Sequence, residues 1–141
     1  MKISNRGINF IAQWEGCRLQ SYQDGGGIWT IGYGHTQNVA QGATITQSQA
    51  SELLLSDLQS VELTINTHVI VAINQNHFDA LASFAYNLGN TALVGSTLVK
   101  LLNQGRYDAA ADEFPKWCHD DGKIVQGLMN RRLAEQTLFL S

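Results

Sequence analysis

The stretch from Glu15 to Thr36, EGCRLQSYQDGGGIWTIGYGHT, interrupts a chain that otherwise has the pattern of a helical protein. Before it, Ser4 offers an N-cap for a helix over about residues 5–15, in which apolar residues recur at helical spacing. Within it, strand-forming residues flank a glycine run, which predicts an antiparallel hairpin that turns at Asp24–Gly27. After it, helical patterns resume. The chain is therefore predicted to be α+β, with helix dominating.

The helical part divides into segments with recognisable ends. Thr46 and Gln49 have the pattern of a capping box ahead of a long helix at about residues 47–66. A turn is predicted at Asp120–Gly122, before the last helix. Further helices are predicted at about residues 76–88, 96–104, 108–117 and 128–139, although Pro115 would interrupt the third of these.

Composition excludes several classes of function. With 141 residues, 44% of them apolar and 15% charged, the chain is long enough for one globular domain with a real core. The formal charge of −3 gives no basic footprint for nucleic acid. It also provides no long-range attraction to an anionic surface, so any binding to an anionic cell wall must come from local contacts.

Two cysteines, Cys17 and Cys118, lie far apart in the sequence, and no Cys/His spacing typical of a metal site occurs. We therefore expect no metal and no cofactor. The N-terminus lacks the pattern of a secretory signal, and no apolar run approaches the roughly 18 residues of a membrane span. We expect a cytoplasmic chain without stable membrane insertion, in which both thiols remain reduced.

Three side chains of the interrupting stretch are suited to acid–base cleavage of an acetal. Glu15 follows an apolar segment, a setting that suits a proton donor. Asp24 lies beside glycines, where an ionised carboxylate can activate water, and Thr30 adds a hydroxyl that can hold that water. Taken alone, Asp24 would equally fit a turn-initiating aspartate, and Thr30 an ordinary strand residue.

The order Glu15, eight residues, Asp24, five residues and Thr30, followed at once by IGYGH, closely resembles the bacteriophage-type lysozymes of glycoside hydrolase family 24. The resemblance runs through the whole chain. It implies that this trio is catalytic and that the reaction inverts configuration. It further implies a lysozyme-like fold in one catalytic domain, with a cleft between two lobes. A small antiparallel sheet lobe at about 16–45 would be joined by the long helix, about 47–66, to a larger helical lobe at about 67–141, near which the N-terminal helix packs.

The resemblance also implies supporting and binding residues. His35 would pair with Asp57, and Arg131 would reach across the cleft towards the acid. Tyr86, Ser96 and Thr97 match positions that touch saccharide in relatives. Three of these residues have a plainer alternative: His35 could be a structural histidine, Arg131 an arginine on a solvated helix face, and Tyr86 a half-buried core tyrosine.

The function implied is that of a phage or prophage endolysin. Such an enzyme hydrolyses the β-1,4 bond between N-acetylmuramic acid and N-acetylglucosamine in bacterial peptidoglycan. It would be a monomer that waits in the host cytoplasm until a holin releases it to the cell wall. Three alternatives stay open: a chitooligosaccharide hydrolase, a catalytically inactive wall-binding module of the same fold, and a toxin delivered against competing bacteria.

Overall fold

The computed structural model describes residues 1–141, which form seven α-helices and two small antiparallel sheets. The chain divides into two compact units, one of residues 9–60 and one of residues 1–8 and 61–141. We call them the sheet unit and the helical unit. The elements are α1 (Asn5–Glu15), β1 (Arg18–Gln23), β2 (Trp29–Gly32), α2 (Gln47–His68), α3 (Gln75–Leu88), α4 (Asn90–Val94), α5 (Thr97–Asn103), α6 (Tyr107–Ala111), β3 (His119–Asp120), β4 (Lys123–Ile124) and α7 (Gln126–Leu140).

The predicted hairpin forms the centre of the sheet unit. β1 pairs antiparallel with β2, and Tyr22 lies opposite Thr30. The other edge of β1 is bonded to the segment that precedes α2, since Ser21 N donates to Ala43 O and Ile45 N to Leu19 O, both at 2.9 Å. Backbone bonding on both edges holds a short strand that has only a small core beneath it.

The long helix α2 contributes to both units. The predicted capping box is confirmed: Gln49 N donates to Thr46 Oγ1 at 3.1 Å, and Thr46 N donates to Gln49 Oε1 at 2.9 Å. The helix runs to His68, slightly beyond the predicted end. Its apolar face buries Leu54 and Leu58 in the first unit and Val61 and Ile65 in the second. One amphipathic stripe therefore serves two cores.

The helical unit is built around α3, which packs against α7. Residues 78–85 of α3 are buried without a break, which is typical of a helix surrounded by others. Phe84 makes edge contacts with Phe114 and Trp117 at centroid distances of 5.7 and 5.3 Å. Such aromatic pairs contribute roughly 0.5–1.5 kcal/mol beyond the burial of their area.

The prediction of one helix over residues 108–117 was wrong. α6 ends at Ala111, and a separate 3₁₀ turn, Phe114–Lys116, follows it. Pro115 lies in the first positions of this turn, where a missing N–H is tolerated, whereas it would have broken the hydrogen-bond ladder of a longer helix. The sequence also gave no signal for the short helix α4. The predicted turn at Asp120–Gly122 is present as the tip of the β3–β4 hairpin.

Both cysteines are free thiols, as predicted, with Cys118 buried and Cys17 partly exposed. None of the helices combines the length and the apolar character that crossing a membrane requires.

Candidate active site

Glu15 is the last residue of α1, and both ends of that helix are fixed locally. At the start, Ser4 Oγ accepts from Gly7 N at 3.0 Å, which confirms the predicted cap. At the end, Gly16 adopts a φ of 68°, a left-handed conformation that glycine adopts without strain. Glu15 is half-buried, and two residues separate it from β1. The helix thus ends at an acidic residue that solvent can still reach.

The two oxygens of the Asp24 carboxylate have different surroundings. Oδ1 accepts from Gly26 N at 2.8 Å and from Ile28 N at 2.9 Å, so the hairpin backbone holds it in place. Oδ2 accepts no hydrogen bond from any residue of the protein, and the residue is exposed. The turn-forming role of Asp24 is therefore real, but it occupies only one oxygen. The other remains able to accept a proton.

Thr30 is held by the same loop. Its Oγ1 donates to Ile28 O at 3.0 Å, and the residue is buried. Ile28 therefore bonds to both side chains, through its N–H to Asp24 and through its carbonyl to Thr30. Because the hydroxyl hydrogen of Thr30 is used in this bond, its oxygen can act towards a water molecule only as an acceptor.

His35 and Asp57 make the contact that the sequence predicts. His35 Nδ1 lies 2.8 Å from Asp57 Oδ2, and Nε2 donates to Gln37 O at 2.8 Å. A two-sided backbone bridge between Ile31 and His35, with both N–O distances at 2.9 Å, holds the histidine in place just after β2. The pair thus ties the end of β2 to α2, which is a supporting role within the sheet unit.

Arg131 lies in the helical unit, inside a buried cluster of charges on α7 that is hydrogen-bonded to α3. Its NH2 group donates to Ser83 O at 3.1 Å, and its Nε lies 3.4 Å from Glu135 Oε2. Arg132 Nε lies 2.6 Å from Glu135 Oε1, and Ser83 Oγ donates to Glu135 Oε2 at 2.5 Å. Burial raises the pKa of Glu135, while Arg132, Ser83 and Arg131 act in the opposite direction. The alternative of an arginine on a solvated helix face is excluded, because both Arg131 and Arg132 are buried.

The other candidate binding residues also lie in the helical unit. Tyr86 is half-buried on α3. The Ser96 hydroxyl is buried and caps α5, since it donates to Leu93 O at 2.6 Å and accepts from Val99 N at 3.2 Å. Thr97 is exposed. Of the two residues, Thr97 is therefore accessible to solvent, whereas Ser96 caps the N-terminus of α5.

Sequence reasoning missed Glu135 and its partner Ser83. A signal was present, because Glu135 lies four residues after Arg131 and three residues after Arg132 on one helix. That spacing is equally typical of an exposed ion pair, and only the packing of α3 against α7 shows that the cluster is buried.

A surface pocket of about 340 Å³ in the sheet unit is lined by His35 and by apolar residues including Val39, Ile45 and Leu53. None of the candidate residues Glu15, Asp24 and Thr30 lines this pocket.

Comparison with known proteins shows the family of the chain. Residues 12–135 match the sequence profile of the family described as phage lysozyme. The chain is 47% identical over its whole length to the endolysin of Salmonella phage P22, of which it covers 99%. It is 45% identical to the endolysin of Acyrthosiphon pisum secondary endosymbiont phage 1, again covering 99%. Among solved structures, the muramidase domain of SpmX from Asticaccaulis excentricus superposes with a TM-score of 0.94 at 38% identity, over 99% of this chain and 98% of that one.

Proposed function

The chain belongs to the phage lysozyme family and is a glycoside hydrolase, and from this premise we propose that it acts as an endolysin on bacterial peptidoglycan. The bond cleaved is the β-1,4 link between N-acetylmuramic acid and N-acetylglucosamine. One observation supports this proposal above the others: the Asp24 carboxylate has one oxygen held by the hairpin and the other without a protein donor. A carboxylate arranged in this way is oriented and still able to accept a proton.

Glu15 is the general acid of the proposed reaction. Its proton passes to the glycosidic oxygen as the bond from that oxygen to the anomeric carbon breaks, and the alcohol leaves neutral. Positive charge develops at the anomeric carbon, so the site must supply a nucleophile on the opposite ring face. The half-buried position of Glu15 at the end of α1 supports this role, because the residue is partly shielded from solvent yet accessible.

Asp24 and Thr30 together position the nucleophilic water. A water molecule has two hydrogens to donate, and the hairpin offers two acceptors: Asp24 Oδ2 and Thr30 Oγ1. With both hydrogens engaged, a lone pair of the water points towards the anomeric carbon. Asp24 takes one proton as the new bond forms, and Thr30 only orients the water. Direct attack by water inverts the configuration, so a β-link yields an α product.

The cellular setting is part of the same proposal. We propose that the enzyme is a monomer that accumulates in the host cytoplasm and reaches the wall once a holin opens the membrane. The chain has no helix suited to crossing a membrane, and its endolysin relatives come from phages.

Product analysis tests the bond assignment. Purified peptidoglycan and chitooligosaccharides are digested separately, and new reducing ends are reduced with borohydride and identified by mass spectrometry. The proposal predicts that reduced muramic acid accumulates from the wall and that chitin gives little product. Reduced glucosamine ends from the wall would assign the other glycosidic bond. Chitin products alone would favour the chitooligosaccharide hydrolase, and binding to the wall without products would favour the inactive module.

A further inference from the structure

Arg18, at the start of β1, is the one arginine or lysine of the sheet unit. That unit also carries four carboxylates, those of Glu15, Asp24, Glu52 and Asp57. Arg18 is nevertheless exposed and forms no ion pair with any of them. Its guanidinium instead lies 4.2 Å from the centroid of the Tyr22 ring. A lone arginine among carboxylates that pairs with none of them keeps its N–H groups available for a ligand.

The position of Arg18 relates it to the catalytic hairpin. Tyr22 lies opposite Thr30 in the β1–β2 pairing, and residues opposite each other on antiparallel strands share one face of the sheet. The contact of Arg18 with the Tyr22 ring places Arg18 on that same face. Thr30, Tyr22 and Arg18 thus form a row on one face of the sheet, along which exposure increases from buried Thr30 through half-buried Tyr22 to exposed Arg18. This row connects the residue proposed to hold the water with an exposed cation.

We propose that Arg18 binds a carboxylate on the peptide stem of the wall strand being cleaved, an inference that rests on the proposed function. Stem peptides carry carboxylates close to the muramic acid to which they are attached, whereas a chitin chain has none. A guanidinium presents parallel N–H groups that match both oxygens of a carboxylate. Stacking on Tyr22, worth about 0.5–1 kcal/mol at an exposed site, restricts the arginine before the ligand arrives.

Charge balance supports a local contact of this kind. With a net charge of −3, the protein has no long-range attraction to an anionic wall. A single oriented cation attracts a carboxylate only at short range, so it can select for stem-bearing strands without raising adsorption elsewhere. Because the pair would be exposed, its contribution should fall as salt is added.

Binding measurements test the inference without depending on cleavage. In a Glu15→Gln background, calorimetry gives Kd for two soluble ligands: glycan strands with intact stems, and strands of the same length from which an amidase has removed the stems. Arg18→Gln should raise Kd for the stem-bearing strands about threefold to fivefold, as expected for an exposed ion pair, and leave the stem-free value unchanged. Addition of salt should abolish the difference.

The matched control is Arg106→Gln, which removes the same charge from an exposed position in the helical unit. It should change neither Kd. Equal changes for both ligands on Arg18→Gln, or no change for either, would overturn the inference. Failure of the proposed function gives a different result, because the wild-type enzyme would then cleave neither kind of strand.

Discussion

The sheet unit and the helical unit differ in what they bury. The sheet unit has five buried apolar residues, whereas the helical unit has eighteen. All buried charged side chains also belong to the helical unit, including Asp79, Arg131, Arg132 and Glu135. In the sheet unit the only buried polar residue is Thr30. The helical unit thus buries charged side chains, whereas none of the carboxylates of the sheet unit is buried.

This difference suggests a division of labour between the two units. A carboxylate that donates or accepts a proton must reach the substrate and change its charge during the reaction. A carboxylate that joins helices must keep its partners, because removing one of them leaves a buried charge without its counter-charge. Substitutions in the two units should therefore affect different measurements.

Replacing the proposed base should have the largest effect. Asp24→Asn keeps an oxygen that can accept from the hairpin backbone but removes the proton acceptor, so the rate should fall by about 10²- to 10⁴-fold. Thr30→Val should cost less, since it removes one of two acceptors that orient the water. Initial rates on soluble wall fragments measure both effects, with thermal melts as the folding control. If Asp24→Asn retains the wild-type rate, the assignment of the base is wrong.

A buried carboxylate of the helical unit should instead affect stability. Glu135→Gln leaves Arg131 and Arg132 without their counter-charge, which we expect to lower the free energy of unfolding by about 3–5 kcal/mol. Urea denaturation measures the change. Glu52→Gln is the matched control, because Glu52 is exposed on α2 and should change stability by no more than about 0.5 kcal/mol. Equal effects of the two variants would show that the cluster is not important for stability.

These charged residues also show which features of the structure could be predicted from the sequence and which could not. The hairpin and the Ser4 cap of α1 are specified by local pattern, so the sequence predicts them well. The catalytic roles of Glu15, Asp24 and Thr30 come from the family resemblance and stay predictions. The free oxygen of Asp24 was not predictable, because it depends on which backbone N–H groups the loop presents. The Glu135 cluster was missed because burial is decided by packing between helices that are distant in sequence.

A smaller effect is expected at the contact between β2 and α2. His35 and Asp57 are partly exposed, so their coupling should be about 0.2–1 kcal/mol. A double-mutant cycle with His35→Asn and Asp57→Asn measures this coupling. Additive single effects would mean that the observed 2.8 Å contact contributes nothing as a pair.

The smallest effect concerns pH and the start of α3. His77 Nδ1 accepts from Asn74 N at 3.2 Å, its ring lies 4.4 Å from that of Phe139, and burial lowers its pKa. The folded protein therefore takes up this proton at lower pH than the unfolded chain. The stability contributed is complete above about pH 6.5 and is lost as the pH falls through the folded value.

His77→Gln keeps an acceptor for the capping box but does not titrate. Between pH 7.5 and pH 5, its melting temperature should fall slightly less than that of the wild type. The corresponding difference in the free energy of unfolding should stay below about 1 kcal/mol because part of the ring is exposed. An identical pH dependence in both proteins would remove His77 from the acid response.

The most direct test of the division of labour compares two carboxylates, one from each unit. Asp79 is buried in the helical unit, where Oδ1 accepts from Ser4 N at 3.0 Å and from Gln75 Nε2 at 2.8 Å. Wall clearance and thermal unfolding are measured for Glu15→Gln and Asp79→Asn, with activity assayed well below both melting temperatures. Glu15→Gln should lose about 10²- to 10⁴-fold in rate with its melting temperature kept or raised. Asp79→Asn should lose about 1–3 kcal/mol of stability and keep its rate. A folded Glu15→Gln protein that clears the wall at the wild-type rate would contradict the account.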